Sequence, residues 1–136
     1  MSLIKAMLDT NIVSALMRNP GSGKVYDRLL AYGTERVCIS IITSAEIQFG
    51  FAKRPSPRLE ETLRYLLSSV EILPFDMPAD FSYGQIRAQL EQQGSVIGPN
   101  DLFLAAHALA LDLTLVTDNI REFSRVPNLR VENWLD

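Results

Sequence analysis

Apolar residues in this chain fall into short blocks separated by polar turns, and the blocks alternate between two kinds. Residues 3–8 form a compact apolar run that reads as a short buried strand, and residues 12–18 carry the spacing of a short helix that Thr10 or Asn11 can cap. Asn19-Pro20-Gly21-Ser22-Gly23 breaks that helix, residues 25–31 read as a second one, and Gly33 ends it. Residues 36–42 (Arg-Val-Cys-Ile-Ser-Ile-Ile) make the clearest strand, nearly all apolar and without clean alternation, as expected of a parallel strand covered on both faces. Thr43 and Glu46 match a capping box for a helix running to about Ala52, before the proline-marked connector Lys53-Arg54-Pro55-Ser56-Pro57. Leu59, Leu63, Leu66 and Leu67 follow as one helical stripe, either core or partner surface. Residues 70–75 predict a third strand. Residues 78–93 predict a helix with Phe81, Ile86 and Leu90 inward, closed by Gly94, and residues 102–111 a helix apolar almost all round. Residues 113–117 and 129–131 supply two further strands. Strands alternating with helices predict a three-layer α/β fold with a mostly parallel central sheet.

Composition narrows this picture. At 136 residues the chain is the length of one domain, 1–136, with a single real core, and 47% hydrophobic against 21% charged residues excludes a disordered or fibrous chain. No apolar run is long enough for a bilayer, and none precedes Asp9 as a signal peptide would require, so a cytoplasmic protein without membrane contact is expected. Cys38 is the one cysteine; its apolar neighbours make it a core thiol. The net charge of −3 gives the molecule as a whole no electrostatic footprint for nucleic acid. Acids gathered around a divalent cation can carry that balance locally while arginines elsewhere meet phosphates.

The positions of the acids make that local reading concrete. Asp9, Glu46 and either Asp118 or Asn119 each follow an apolar strand, and parallel strands share the edge where ligands bind in open α/β sheets. Taken alone, Asp9 fits a turn or an N-cap, and Glu46 fits a capping box. Asp101 reaches the same edge from a helix start. Its own helical face continues as Leu104, Ala105 and Ala108, so the carboxylate opens a face that enters the core rather than one that meets solvent. Crowded carboxylates repel unless a divalent cation balances them, and an all-oxygen set without a Cys or His cluster selects Mg²⁺ or Mn²⁺ over zinc. Such a set serves phosphodiester hydrolysis. His107, the single histidine, lies off the Asp101 face and reads as a core residue.

The residues that carry this chemistry resemble the VapC-type toxins of the PIN-domain family. The matching stretches are Met7-Leu8-Asp9-Thr10-Asn11, residues 40–46, Gly98-Pro99-Asn100-Asp101, Leu115-Val116-Thr117-Asp118-Asn119 and Arg121-Glu122-Phe123, in order along essentially the whole chain. The resemblance implies a PIN-like fold and a Mg²⁺- or Mn²⁺-dependent endoribonuclease, the toxin of a type II toxin–antitoxin pair. It also implies inhibition by a VapB-like antitoxin, a homodimer, and RNA substrates of which the anticodon loop of initiator tRNA is one candidate. It places Asp9, Glu46 and Asp101 at the family's acidic positions, with Asp9 and Asp101 as metal ligands. Asn119 takes the fourth position by spacing from Thr117, with Asp118 as the alternative. Successive side chains on an extended backbone point opposite ways, so one of the two is expected in the site, the other capping the turn into Ile120. A haloacid-dehalogenase-like phosphatase would need an Asp where Asn11 stands, and a receiver domain a Lys where Thr117 stands. An inactive PIN-fold module binding RNA or protein is the remaining alternative, against which the intact Asp9, Glu46 and Asp101 argue.

Overall fold

The structure is a computed structural model that describes residues 3–135. Its centre is a five-stranded parallel sheet of order β3-β2-β1-β4-β5, with β1 at Ala6–Leu8, β2 at Val37–Ser40, β3 at Glu71–Leu73, β4 at Thr114–Val116 and β5 at Val131–Glu132. The chain builds outward from β1 to β2 and β3, then returns to the other side of β1 for β4 and β5. The reversal leaves a crevice between the carboxyl ends of β1 and β4, the switch point at which such sheets bind ligands.

The period-two alternation of the strands divides the core into two layers. Ala6, Leu8, Val37 and Ile39 face α1 (Thr10–Arg18), α2 (Lys24–Tyr32) and α4 (Pro57–Leu67), closed at the chain's end by Trp134. Met7, Cys38 and Leu115 face the opposite way, onto α5 (Ala79–Gln92) and α6 (Pro99–Ala110). Burial pushes the Cys38 thiol up to about 12, so it stays protonated and inert. No helix among the described residues is long and apolar enough to cross a membrane.

Several element boundaries differ from the sequence expectation, each for a local reason. Asp9, rather than Thr10 or Asn11, is the N-cap of α1, accepting the Thr10 backbone N–H at 2.6 Å. The second strand stops at Ser40, whose hydroxyl accepts the Ile42 N–H at 3.0 Å and starts α3 (Ile41–Lys53) at once. Thr43 and Glu46 therefore form no capping box: Thr43 lies inside the first turn, its buried hydroxyl without a partner among the described residues, and Glu46 is free to reach outward. The leucine stripe of α4 is core: Leu63 is buried, and Leu59, Leu66 and Leu67 pack against the α1/α2 layer. Phe81, expected inward, is 68% exposed, while Ile86 and Leu90 are buried as expected. The fifth strand begins at Val131, two residues later than its pattern suggests.

Candidate active site

The carboxyl ends of β1 and β4 and the starts of α1 and α6 enclose a polar cavity of about 400 Å³, lined by Asp9, Thr10, Asn11, Glu46, Asp101, Asp118 and Asn119. Every residue singled out from the sequence as a site candidate therefore faces one cavity, including both members of the Asp118/Asn119 pair. The expected choice between them is not made. Asn119 has φ −89° and ψ 56°, so the chain has left the extended conformation and strand alternation no longer applies.

Each acid is held by short bonds from its own neighbourhood. Asp9 is 7% exposed; the Thr117 hydroxyl donates to its Oδ2 at 2.7 Å across the switch point, and Thr10 N–H to its Oδ1. Burial raises its pKa, those two bonds lower it, and the nearby Glu46 and Asp118 charges raise it again; the net direction is upward. Glu46 accepts the Thr10 hydroxyl at 2.8 Å through Oε1 and lies 3.5 Å from the Asn100 amide through Oε2. Asp118 accepts the Asn11 amide at 3.0 Å. It does not cap the short helix α7 (Ile120–Phe123), whose N-cap is Asn119.

Asp101 lies on the first turn of α6 with Leu104, Ala105 and Ala108 buried behind it, the face its sequence spacing predicted. Burial, then the charges of Glu122, Asp9 and Glu46, push its carboxyl up to about 7. Glu122 is the residue the sequence reading passed over, although it stands in one of the quoted motifs. It accepts the Gly98 backbone N–H at 2.7 Å and the Asn119 amide at 2.9 Å, and those bonds hold its pKa below the usual carboxylate range. The available signal was the i,i+3 spacing from Asn119 to Glu122 in a helix start.

A divalent cation fits this donor set. All the polar groups are oxygens or amides, and Asp9 and Asp101 are held in each other's repulsive field, which a cation would relieve. Among the described residues no three His, Cys, Asp or Glu side chains form a ready-made cage. The protein thus supplies part of a coordination shell, the usual arrangement for Mg²⁺, which keeps several waters. His107 is not involved. It is buried in the core with Nδ1 2.8 Å from Ser40 Oγ and a second bond to the Pro74 carbonyl, and burial lowers its pKa.

A family model described as the PIN domain matches residues 6–129. "Ribonuclease VapC2" of Rickettsia felis is 45% identical over 131 residues, covering 94% of this chain and 96% of that protein. "tRNA(fMet)-specific endonuclease VapC" of Salmonella typhimurium is 38% identical over 133 residues, covering 97% and 99%. Among solved structures, VapBC2 of Rickettsia felis bound to a DNA fragment from its promoter superposes with a TM-score of 0.88 at 41% identity, over 96% of this chain and 99% of that one.

Proposed function

The chain belongs to the VapC group of the PIN-domain family, and from that premise we propose that it is a metal-dependent endoribonuclease toxin held in check by a VapB-like antitoxin. The observation that carries the reading is the convergence of Asp9, Glu46 and Asp101, from three separate stretches of sequence, on one cavity at the sheet's switch point. PIN-domain nucleases use divalent metal ions; the oxygen-only donors here favour Mg²⁺ or Mn²⁺. Asp9 and Asp101 would hold the ion, which when bound activates water and steadies charge on the phosphate. The chain's own residues prepare the site for it. Thr117 and Thr10 fix both oxygens of Asp9, the Thr10 hydroxyl aims Glu46 into the cavity, and Glu122, tied to Gly98 N–H, sets the start of α6 beside Asp101. Glu46 is placed to orient a water or take its proton.

The substrate class is RNA, and tRNA is the first candidate because the Salmonella relative is named for tRNA(fMet). Solved relatives include VapBC complexes of Rickettsia felis and Salmonella typhimurium bound to DNA, so an antitoxin-mediated complex with promoter DNA belongs to the same proposal. An arginine on the antitoxin's tail would pair with the acidic cavity. An apolar groove of about 440 Å³ between α1, α2 and α4, lined by Leu16, Met17, Tyr26, Leu29 and Leu66, offers anchorage for its apolar residues. The chain is further proposed to dimerise through α3 and α5.

The deciding experiment is sequencing of RNA ends after incubation of total RNA with the purified, antitoxin-free protein in Mg²⁺, Mn²⁺ or EDTA. Discrete cuts that require metal and vanish in Asp9→Asn are expected. Absence of metal-dependent cuts, with Mn²⁺ still binding, would point instead to a binding module without activity.

A further inference from the structure

Beyond the segment that opens α6, on the side away from the acids, lies a smaller cleft of about 190 Å³. Its floor is apolar, built from Leu90, Ile97 and Leu102, and Pro99, the first residue of α6, closes one side. Pro99 is two residues from Asp101, so about one helix backbone separates the cleft from the carboxylates. The rim is polar. The Tyr83 ring is fixed by stacking on Phe103, with centroids 4.5 Å apart and planes 17° apart. Arg87 donates through Nη1 to the Tyr83 oxygen at 3.0 Å and through Nε to Glu91 at 3.1 Å. This leaves the Tyr83 proton and the Nη2 edge of the guanidinium uncommitted. Arg125 donates to the Val96 carbonyl at 2.9 Å, which brings a second guanidinium to the same rim, close enough to Glu122 to lower its pKa.

We propose that this cleft receives one base of the RNA strand next to the cleaved bond, with Arg87 and Arg125 meeting the flanking phosphates. The proposal rests on the nuclease reading above. The volume is enough for one flat heterocycle. The apolar floor suits ring faces, and the uncommitted Tyr83 hydroxyl proton suits a ring edge, the two contacts by which proteins read unstacked RNA bases. The cavity itself is acidic and repels the phosphate backbone, so an RNA strand needs cations elsewhere on its path; Arg87 on the cleft rim and Arg125, beside Glu122, supply them. The competing view is that Arg87 and Glu91 form an ordinary exposed i,i+4 pair, which would leave cleavage untouched.

The test is cleavage of a randomised RNA library by wild type, Tyr83→Phe and Arg87→Ala, with end sequencing, steady-state kinetics and melting temperature. Tyr83→Phe keeps the stack on Phe103, and Arg87 is exposed, so both variants retain the fold. Wild type is expected to prefer particular bases at one position flanking the cut. Both variants should relax that preference and raise KM by about tenfold, the scale of losing one base contact, with kcat and melting temperature held. Unchanged preference and KM in both variants would refute the cleft while leaving the nuclease reading intact. A wild type that makes no metal-dependent cut would refute the nuclease reading, and the cleft with it.

Discussion

At the scale of single residues, Asp118 and Asn119 share the cavity but are wired differently. Asp118 brings a charge and is held by Asn11, whereas Asn119 donates its amide to Glu122 and its backbone N–H to Thr117 Oγ1 at 3.0 Å. A charge in the cavity contributes to cation affinity; an amide engaged with Glu122 contributes to how Glu122 is placed. Asp118→Asn is therefore expected to weaken Mn²⁺ binding measured by calorimetry. Asn119→Ala should leave that affinity near wild type and lower the cleavage rate by about tenfold, as loss of an orienting bond does. The reverse pattern would exchange their roles. Asp9→Asn removes a charge without removing a core contact, and should cost at least about a hundredfold in rate with the fold intact. Full activity in Mg²⁺ would displace Asp9 from the metal site.

At the scale of elements, α3 is apolar on nearly every face, yet only Thr43 and Ile47 on it are fully buried. Ile41, Ala45, Phe49 and Ala52 are exposed along one side, Phe49 at 65%. The segment 77–88 does the same with Met77, Phe81, Gly84 and Ala88. A helix apolar all round is normally buried, so the second face calls for a partner. Gly50 and Gly84, in the middle of α3 and α5, each cost about 1 kcal/mol relative to Ala, and a Cβ at either would touch nothing in the chain. Their small size suits close approach from outside. A second copy of the chain presents the same two stripes in return, which is what a two-fold interface requires. Lys53 and Arg54 at the end of α3, and Asp76 and Asp80 at the start of α5, form no ion pairs among the described residues, leaving opposite charges for such a contact. Phe49→Glu with Phe81→Glu should give a monomer in light scattering without loss of melting temperature. Leu63→Ala in α4 should do the opposite, keeping the dimer while destabilising the fold by about 2–5 kcal/mol.

At the scale of the whole molecule, Asp101 ties stability to pH and to the metal. Its pKa is near 7 in the fold against 3.8 unfolded, so the folded state binds the extra proton. The stability this contributes is fully present below about pH 4 and is lost as pH rises through about 7. His107 acts in the other direction. Its pKa is lowered by burial, so its contribution is full above the unfolded value of about 6.5 and is lost as pH falls below it. The difference between wild type and Asp101→Asn isolates the first term. In EDTA the variant should melt higher than wild type at pH 8 and about equal to it at pH 4. Mg²⁺ should raise the wild-type melting temperature at pH 8 more than the variant's. A pH-independent gap between the two proteins would remove Asp101 from this account.

Along the chain, residue pattern alone determined the alternation of strands and helices, the parallel sheet, the buried states of Cys38 and His107, and the approach of Asp101 to the site with its apolar face behind it. These follow from periodicity, which acts within a few residues and is therefore readable in one dimension. Tertiary structure decided what depends on groups far apart in sequence. Ser40 starts α3 before the Thr43/Glu46 pattern can cap it, and its hydroxyl also meets His107, 67 residues away. The α4 leucines turn inward because α1 and α2 cover them, while Phe81 turns outward because Ile86 and Leu90 already face the core. Asp118 and Asn119 both enter the cavity because Asn11 and Glu122, on separate elements, hold them there. A pattern records which residues are apolar; which of two compatible partners a side chain meets is set only when the elements pack.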